Sequence, residues 1–312
     1  MSNLTRRRFI AISAAAGVAP LAAGAAVPVA RWTGTALGAQ ASATLAGITQ
    51  EQAEPLFRRI EQELDRIEGI FSLYRPDSVL SRLNREGSAD QPPAGLLEVL
   101  SVCDALNRQT GGAFDPTVQP LWTLYAEAAP RGEVPSGDAI TATLARTGWT
   151  GVRYDARHVS LEKPGMALTL NGIAQGYASD QIARLLRAAG LSGVLVDMGE
   201  VVAVGSRPDG TPWQAGIADP DGGVLDGHVS LSDRALTTSA PGGTVLDPAG
   251  RVGHIFDPRT GQPGGQWRQV SVSAASASLA DGLSTAFCVM SRAQIRSAAA
   301  SFTDVRVEKL VA

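Results

Sequence analysis

The chain has 312 residues, 44% of them hydrophobic and 18% charged, with a formal net charge of −3. That length supports one large domain or two closely packed ones with a sizeable core, and the composition excludes a disordered chain. The slightly acidic balance argues against nucleic acid held on a basic surface.

Two cysteines and three histidines show no zinc-type spacing, and no coiled-coil heptad or internal repeat appears. Cys103 and Cys288 each fall in an apolar, helix-like stretch and read as buried free thiols. A disulfide between them is the alternative in an oxidising compartment.

At the N-terminus, Thr5-Arg6-Arg7-Arg8-Phe9-Ile10 stands directly before an alanine-rich apolar run that ends near Ala26. A basic segment, an apolar segment and small residues around Ala23-Gly24-Ala25 form an export signal, and the arginine arrangement resembles the twin-arginine type. Residues 1–30 are therefore expected to be a targeting segment and residues 31–312 the working domain, exported to the periplasm. Retention of the signal as an N-terminal anchor is the alternative.

Within 48–71, Leu56, Ile60, Leu64, Ile67 and Phe71 recur at spacings of 4, 4, 3 and 4, the stripe of an amphipathic helix. Further helices are predicted over 94–109, after a Ser136 cap with Ile140 and Leu144 on the buried side, over 174–189 and over 277–290. Short β-type runs lie at 194–196, 201–204, 224–231, 252–256 and 270–273, with a terminal strand at 305–311. Residues 130–137 and 208–223 read as surface loops from their Gly, Pro and Asp content. Helices and strands are mixed without βαβ alternation, so the expected class is α+β, with mixed and antiparallel sheets flanked by helices. No Gly-x-Gly-x-x-Gly follows a strand, which argues against a Rossmann site.

Four segments concentrate small polar groups. In the first, a helix breaks at Pro76 and presents Tyr74 at the break; taken alone, Asp77 or Ser78 as the N-cap of a new helix is the simpler reading, since such caps need no ligand to explain them. The second, Gly112-Ala113-Phe114-Asp115-Pro116-Thr117, reads as a turn. In the third, a strand ends at Leu170, and Asn171-Gly172-Ile173-Ala174-Gln175-Gly176-Tyr177 leads into a helix whose N-terminus suits an anion. A tight strand–helix connection is the alternative.

The fourth joins His254-Ile255-Phe256-Asp257-Pro258-Arg259-Thr260-Gly261 to Ala280-Asp281-Gly282-Leu283-Ser284-Thr285. Asp281 and Thr285, at i and i+4, share one face of an otherwise apolar helix, where burying them unpaired is costly. A hard cation held by a carboxylate, a hydroxyl and a carbonyl satisfies them and suits Mg²⁺. Asp281 as an N-cap with Thr285 bonded back to a carbonyl is the alternative.

Taken in order, these segments resemble the ApbE family of FAD:protein FMN transferases over nearly all of the chain beyond the signal, most clearly at His254-Ile255-Phe256-Asp257-Pro258-Arg259-Thr260-Gly261 and at Asn171-Gly172-Ile173-Ala174-Gln175-Gly176-Tyr177. The resemblance implies two lobes around a flavin cleft. It places Leu37, Tyr74, Ala113, Phe114, Asp115, Thr169, Gln175 and Ile255 against FAD. It assigns a Mg²⁺ site to the Gly172 carbonyl, Asp281, and Ser284 or Thr285, and it makes His254 and Asp281 the catalytic pair, His254 by helping to position the diphosphate.

Leu37 stands where the family often has methionine, Gln175 where lysine or glutamate is common, Thr169 where an acidic residue is frequent, and Ser284 where some members have aspartate. The activity so implied is Mg²⁺-dependent transfer of FMN from FAD to a threonine or serine hydroxyl of a partner flavoprotein, with release of AMP. An FAD diphosphatase and a non-catalytic periplasmic FAD carrier are the rivals. The signal, Trp32-Thr33-Gly34-Thr35-Ala36-Leu37-Gly38 and the Asn171 segment together resemble the NosX-type branch, whose acceptor is a membrane-bound NosR-like protein with a periplasmic flavin domain.

Overall fold

The computed structural model describes residues 10–12, 27–220 and 225–312. Apart from residues 10–12 and 27–30, the segment expected to be an export signal lies outside the described residues. Strand β1 (Ile10–Ile12) pairs antiparallel with Ala215–Ile217 of a later strand. Strand β2 (Val29–Ala36) begins two residues inside the expected signal boundary and returns as β3 (Ala39–Ala46). Between them Leu37 and Gly38 both take positive φ, 49° and 78°, the two-residue loop that matches strand twist.

Helix α1 (Gln50–Phe71) follows with a Thr49–Gln52 capping box, which satisfies orphan N–H groups reciprocally. It buries Phe57, Ile60, Leu64, Ile67, Ile70 and Phe71. Each such side chain contributes roughly 1.5–3 kcal/mol on burial, well above the tenths that separate helix propensities.

Ser78, not Asp77, caps α2 (Val79–Glu86) by accepting from the Ser81 N–H. Then come β4 (Ser88–Asp90), α3 (Ala94–Gln109), α4 (Gln119–Ala128) and the Ser136-capped α5 (Gly137–Leu144). Strands β5 (Val152–Tyr154) and β6 (His158–Leu161) complete a small sheet of order β4-β6-β5.

Helix α6 (Ala174–Ala188) leads to β7 (Gly193–Asp197), β8 (Val201–Gly205), β9 (Trp213–Ala218), β10 (Leu225–Leu231) and β11 (Arg234–Ser239). The chain closes with β12 (Gln269–Ala274), α7 (Ala277–Phe287), α8 (Arg292–Ala299) and β13 (Arg306–Val311).

The main sheet has the order β13-β12-β11-β8-β7-β3-β2 and every pair in it is antiparallel. Alternation decides its two faces. Val194, Val196, Val202 and Val204 point into the large core with α1, α6 and α7. Leu195, Val201 and Ala203 point the other way, into a small cluster closed by Trp213, Ala215 and Ile217 of β9 and Leu231 of β10. This is the α+β class expected.

Three expectations fail locally. The 208–223 segment is no continuous loop, because β9 lies inside it. Residues 252–256 form no strand; Val252 and Phe256 are apolar because they pack with Leu121, Tyr125 and Ile140 of α4 and α5, and the backbone makes only isolated bridges there. The last predicted helix stops at Phe287, with Cys288 as its C-cap. Cys103 and Cys288 are free and buried.

Candidate functional site at the α6–α7 contact

Residues 166–170 have no sheet partner, so no strand ends at Leu170. Their backbone is held instead by Asn84, whose amide donates to the Leu168 carbonyl at 2.8 Å and accepts from the Leu168 N–H at 2.7 Å. Thr169 N–H donates to the Pro116 carbonyl at 2.8 Å, and Ile173 and Ala174 N–H turn back to the Leu170 carbonyl. The Gly172 turn is thereby fixed before α6 begins.

Helix α7 packs against that turn. A Cβ at Gly172 would lie 3.0 Å from Thr285 Oγ1, and a Cβ at Gly176 would lie 2.4 Å from the Ala277 carbonyl oxygen. Only glycine lets the two backbones come this close. At the contact, Gly176 N–H donates to Asp281 Oδ2 at 3.1 Å. Asp281 is 4% exposed. The N-cap of α7 is Ser276, so Asp281 sits in the second turn and the N-cap alternative for it is overturned.

The hydroxyls around Asp281 form a directed chain. Ser284 Oγ donates to the Asp281 carbonyl at 3.0 Å, which uses its single proton. At 2.7 Å, Ser239 of β11 must therefore donate to Ser284, and at 3.3 Å Thr285 donates to Ser239. Ser284 is fully buried with its hydroxyl committed to this chain. Thr285 is half-buried and faces Gly172 with its proton turned away, which leaves its lone pairs on the Gly172 side. Ser239 carried no signal in sequence: it lies in Thr237-Thr238-Ser239, an unremarkable strand end, and reaches the site only through the β11–α7 contact.

His254 lies nearby on the chain that leaves β11. Its Nδ1 donates to the carbonyls of Thr244 at 3.1 Å and Pro241 at 3.3 Å, which fixes the orientation of the ring. The following residues are strapped to the end of α7: the Asp257 carboxylate takes Arg259 Nε and Nη2, each at 2.8 Å, and the Arg259 guanidinium also donates to the Val289 carbonyl at 2.7 Å. Ile255 is buried against the main core.

The remaining candidates fall into two groups. Ala113 and Phe114 are buried beside α7, and the Phe114 ring would meet a Cβ at Gly282 at 3.4 Å. Asp115 is bonded within its own loop and to Trp149. Its carboxylate accepts from Thr117 N–H at 2.9 Å, Thr117 Oγ1 at 2.6 Å and Trp149 N–H at 3.0 Å. Burial pushes this carboxyl above its ordinary value and those bonds oppose the rise. Gln175 is buried over Gly199, where a Cβ would meet its amide nitrogen at 2.4 Å.

Leu37 and Tyr74 form the other group. Glu68 accepts from the Leu37 N–H at 3.0 Å and lies 3.7 Å from Arg75, which also pairs with Asp65 at 2.8 Å. The hairpin tip and the helix break are thus tied together, and Tyr74 stands 74% exposed. Among the described residues, neither Leu37 nor Tyr74 hydrogen-bonds to the α6–α7 cluster.

Comparison with known proteins identifies the family and the fold. The profile of the ApbE family matches residues 37–308. An FAD:protein FMN transferase of Vibrio cholerae is 32% identical over 249 residues, covering 76% of this chain and 74% of its own. One of Klebsiella pneumoniae is 28% identical over 270 residues, covering 82% and 77%. Among solved structures, the flavin transferase ApbE of Vibrio cholerae superposes with a TM-score of 0.79 at 27% identity, over 92% of this chain and 98% of its own. The apo flavinyl transferase ApbE of Pseudomonas stutzeri gives 0.76 at 29% identity, over 88% and 89%. A family match over residues 37–308 and shared folds at this level place the chain in the ApbE family.

Proposed function

We propose that this chain transfers FMN from FAD to a threonine or serine hydroxyl of a partner flavoprotein and releases AMP, with Mg²⁺ as its cofactor. The observation that carries the proposal is the oxygen cluster at the α6–α7 contact: one buried carboxylate, Asp281, beside the Thr285 hydroxyl and the Gly172 backbone. Among the described residues no group of three or more His, Cys, Asp or Glu side chains could hold a metal. A single carboxylate with neutral oxygens fits Mg²⁺, which keeps waters and shares substrate phosphates. Asp281, Thr285 and the Gly172 carbonyl would hold it; Ser284, spent on Asp281 and Ser239, serves as a prop for Asp281 and Thr285. When bound, Mg²⁺ supplies charge neutralisation on the diphosphate and an in-line geometry.

The chain's own residues supply position. Leu37, Tyr74, Ala113, Phe114, Gln175 and Ile255 receive FAD, while Thr169 and Asp115 hold the backbone behind it. His254, whose Nδ1 is held by the Thr244 and Pro241 carbonyls, helps to orient the diphosphate. The acceptor oxygen forms a new bond to the phosphorus on the riboflavin side, the bond from that phosphorus to the bridging oxygen breaks, the hydroxyl proton leaves to solvent, and AMP departs.

Export by the twin-arginine route to the periplasm, with residues 31–312 as the working domain, is part of the proposal; it is supported by Thr5-Arg6-Arg7-Arg8-Phe9-Ile10. So is a membrane-bound, NosR-like acceptor of the NosX-type branch. Among the described residues no helix is long and apolar enough to cross a membrane.

The test incubates the purified chain with FAD, Mg²⁺ and a candidate acceptor domain and reads flavin fluorescence on a denaturing gel. A Mg²⁺-requiring fluorescent acceptor band with AMP release is expected, and Asp281→Ala is expected to abolish it while staying folded. Free FMN and AMP without a labelled band would favour a diphosphatase, and unchanged FAD a carrier. Full activity of folded Asp281→Ala would remove the metal assignment.

A further inference from the structure

Helices α6 and α7 are tied at a second point, one turn beyond the Gly176–Asp281 bond. Asp180 follows Gly176 by four residues and so lies on the same face of α6. Its carboxylate accepts four hydrogen bonds. Oδ1 takes the Ala277 N–H at 2.8 Å; Oδ2 takes the Ser278 N–H at 2.9 Å and the hydroxyls of Ser276 at 2.9 Å and Ser278 at 2.7 Å.

These donors are the N-cap and first two residues of α7, whose N–H groups have no partner within the helix and whose dipole favours a negative charge. The Ser276 hydroxyl, having given its proton to Asp180, accepts from Leu279 N–H at 3.3 Å, and Ala280 N–H reaches the Ser276 carbonyl at 3.1 Å. Every N–H of the first turn is thus assigned, and two of them belong to another helix.

The register matters more than the number of bonds. Residues 277 and 281 are one turn apart on α7, as 176 and 180 are on α6. Helix α7 also packs on β11, β12 and α3, and a single tie at Gly176 would leave its register against α6 to that packing alone. Two ties a turn apart fix its translation and its rotation, and with them the direction in which the Asp281 carboxylate and the Thr285 hydroxyl face Gly172.

We propose, resting on the assignment of α7 as the cation-bearing helix, that Asp180 is a positioning residue of the cation site. It touches neither cation nor substrate; it sets the rotation of α7 so that Asp281 and Thr285 bind the cation together. Partners of this kind are worth about ten- to a hundredfold in metal affinity. A helix cap with no such role would change stability alone.

The experiment measures binding of Mn²⁺, used as a paramagnetic probe in place of Mg²⁺, to the full chain without FAD, by the loss of the free-ion resonance during titration. Asp180→Asn keeps the shape but turns an amide N–H₂ toward N–H donors, so at least one backbone tie is lost. It is expected to bind Mn²⁺ about ten- to a hundredfold more weakly at a temperature where it is fully folded, with the Mg²⁺ requirement of transfer shifted by the same factor. Ser278→Ala removes one hydroxyl tie and spares the backbone, and is expected to weaken Mn²⁺ binding in the same direction by a smaller factor. This second variant decides the matter if Asp180→Asn does not fold. Mn²⁺ affinity within twofold of the parent in both folded variants, with Asp281→Ala losing it, would overturn the role of Asp180 alone. Parent-like Mn²⁺ binding by Asp281→Ala would overturn the assignment of α7, and the role of Asp180 with it.

Discussion

A methyl group added at Gly176 would sit 2.4 Å from the Ala277 carbonyl oxygen, 2.7 Å from its carbon and 2.9 Å from the Asp281 Cβ. The first two are backbone atoms and cannot rotate away. Carbon–oxygen contacts settle near about 3.3 Å, so α6 and α7 must part by roughly 1 Å on that basis. Overpacking of this kind costs about 1–3 kcal/mol, and the helix recovers about 0.8–1 kcal/mol from replacing glycine by alanine. The net loss is about 1 kcal/mol, which lowers Tm by only about 1–2 °C in a chain of this length.

The site is far less forgiving. The same separation stretches the Gly176–Asp281 hydrogen bond, now 3.1 Å, and carries Asp281 away from Gly172. A 1 Å misplacement of a reacting group costs about a hundredfold in rate. Gly176→Ala is therefore expected to lose about two orders of magnitude in FMN transfer while melting within a few degrees of the parent. Calorimetry and a fluorescence time course on the same preparation check both halves. A transfer rate within threefold of the parent would refute the claim that the helix contact sets the chemistry.

Two further outcomes follow from exposure and burial. Tyr74→Ala removes an exposed ring that contacts little of the core, so Tm should hold while KM for FAD rises about tenfold, within the range expected for losing one stacking ring; an unchanged KM would show that Tyr74 does not meet FAD. Burial pushes the thiols of Cys103 and Cys288 well above their ordinary values, so the thiolate is suppressed in the folded chain even at pH 8–9. Neither should react with an alkylating reagent until the chain unfolds, when both should titrate, and rapid modification of the folded protein would contradict the buried environment.

The long amphipathic elements were legible because large side chains mark their period. Helix α3 starts and stops where its apolar run and the Gly111-Gly112 pair place it, and Ser136 caps α5 as its position before Ile140 implies. The β2–β3 hairpin was not legible, for a physical reason: its buried positions include Ala30, Ala36, Ala41 and Ala43, too small to stand out in a hydrophobic pattern. Strand β9 was hidden by Pro212 and Gly216 and by the glycine-rich residues after it. Helix α8 buries only Ile295 and Ala298, which is too narrow a stripe to read. In the opposite direction, Val252 and Phe256 looked like strand residues because apolarity alone does not say whether the partner is a neighbouring strand or the side of α4 and α5.

The site was legible where its members are chemically unusual for their setting, as with Asp281 on an apolar helix, and illegible where they are ordinary residues brought in by the fold. Ser239 is the clearest case. Its hydroxyl accepts the proton of Thr285 and gives its own to Ser284, so it decides which way the Thr285 lone pairs point. Ser239→Ala leaves the Thr285 hydroxyl free to turn its proton toward the cation and leaves Ser284 without a donor. The stability cost should be about 1–3 kcal/mol, that of two hydrogen bonds. The Mg²⁺ concentration for half-maximal transfer should rise about tenfold, as for other partners that orient a ligand, with the rate at saturating Mg²⁺ recovering most of the parent's. If Ser239→Ala shows the parent's Mg²⁺ dependence and only a lowered Tm, the hydroxyl chain is packing, and Thr285 is held in place by the helix alone.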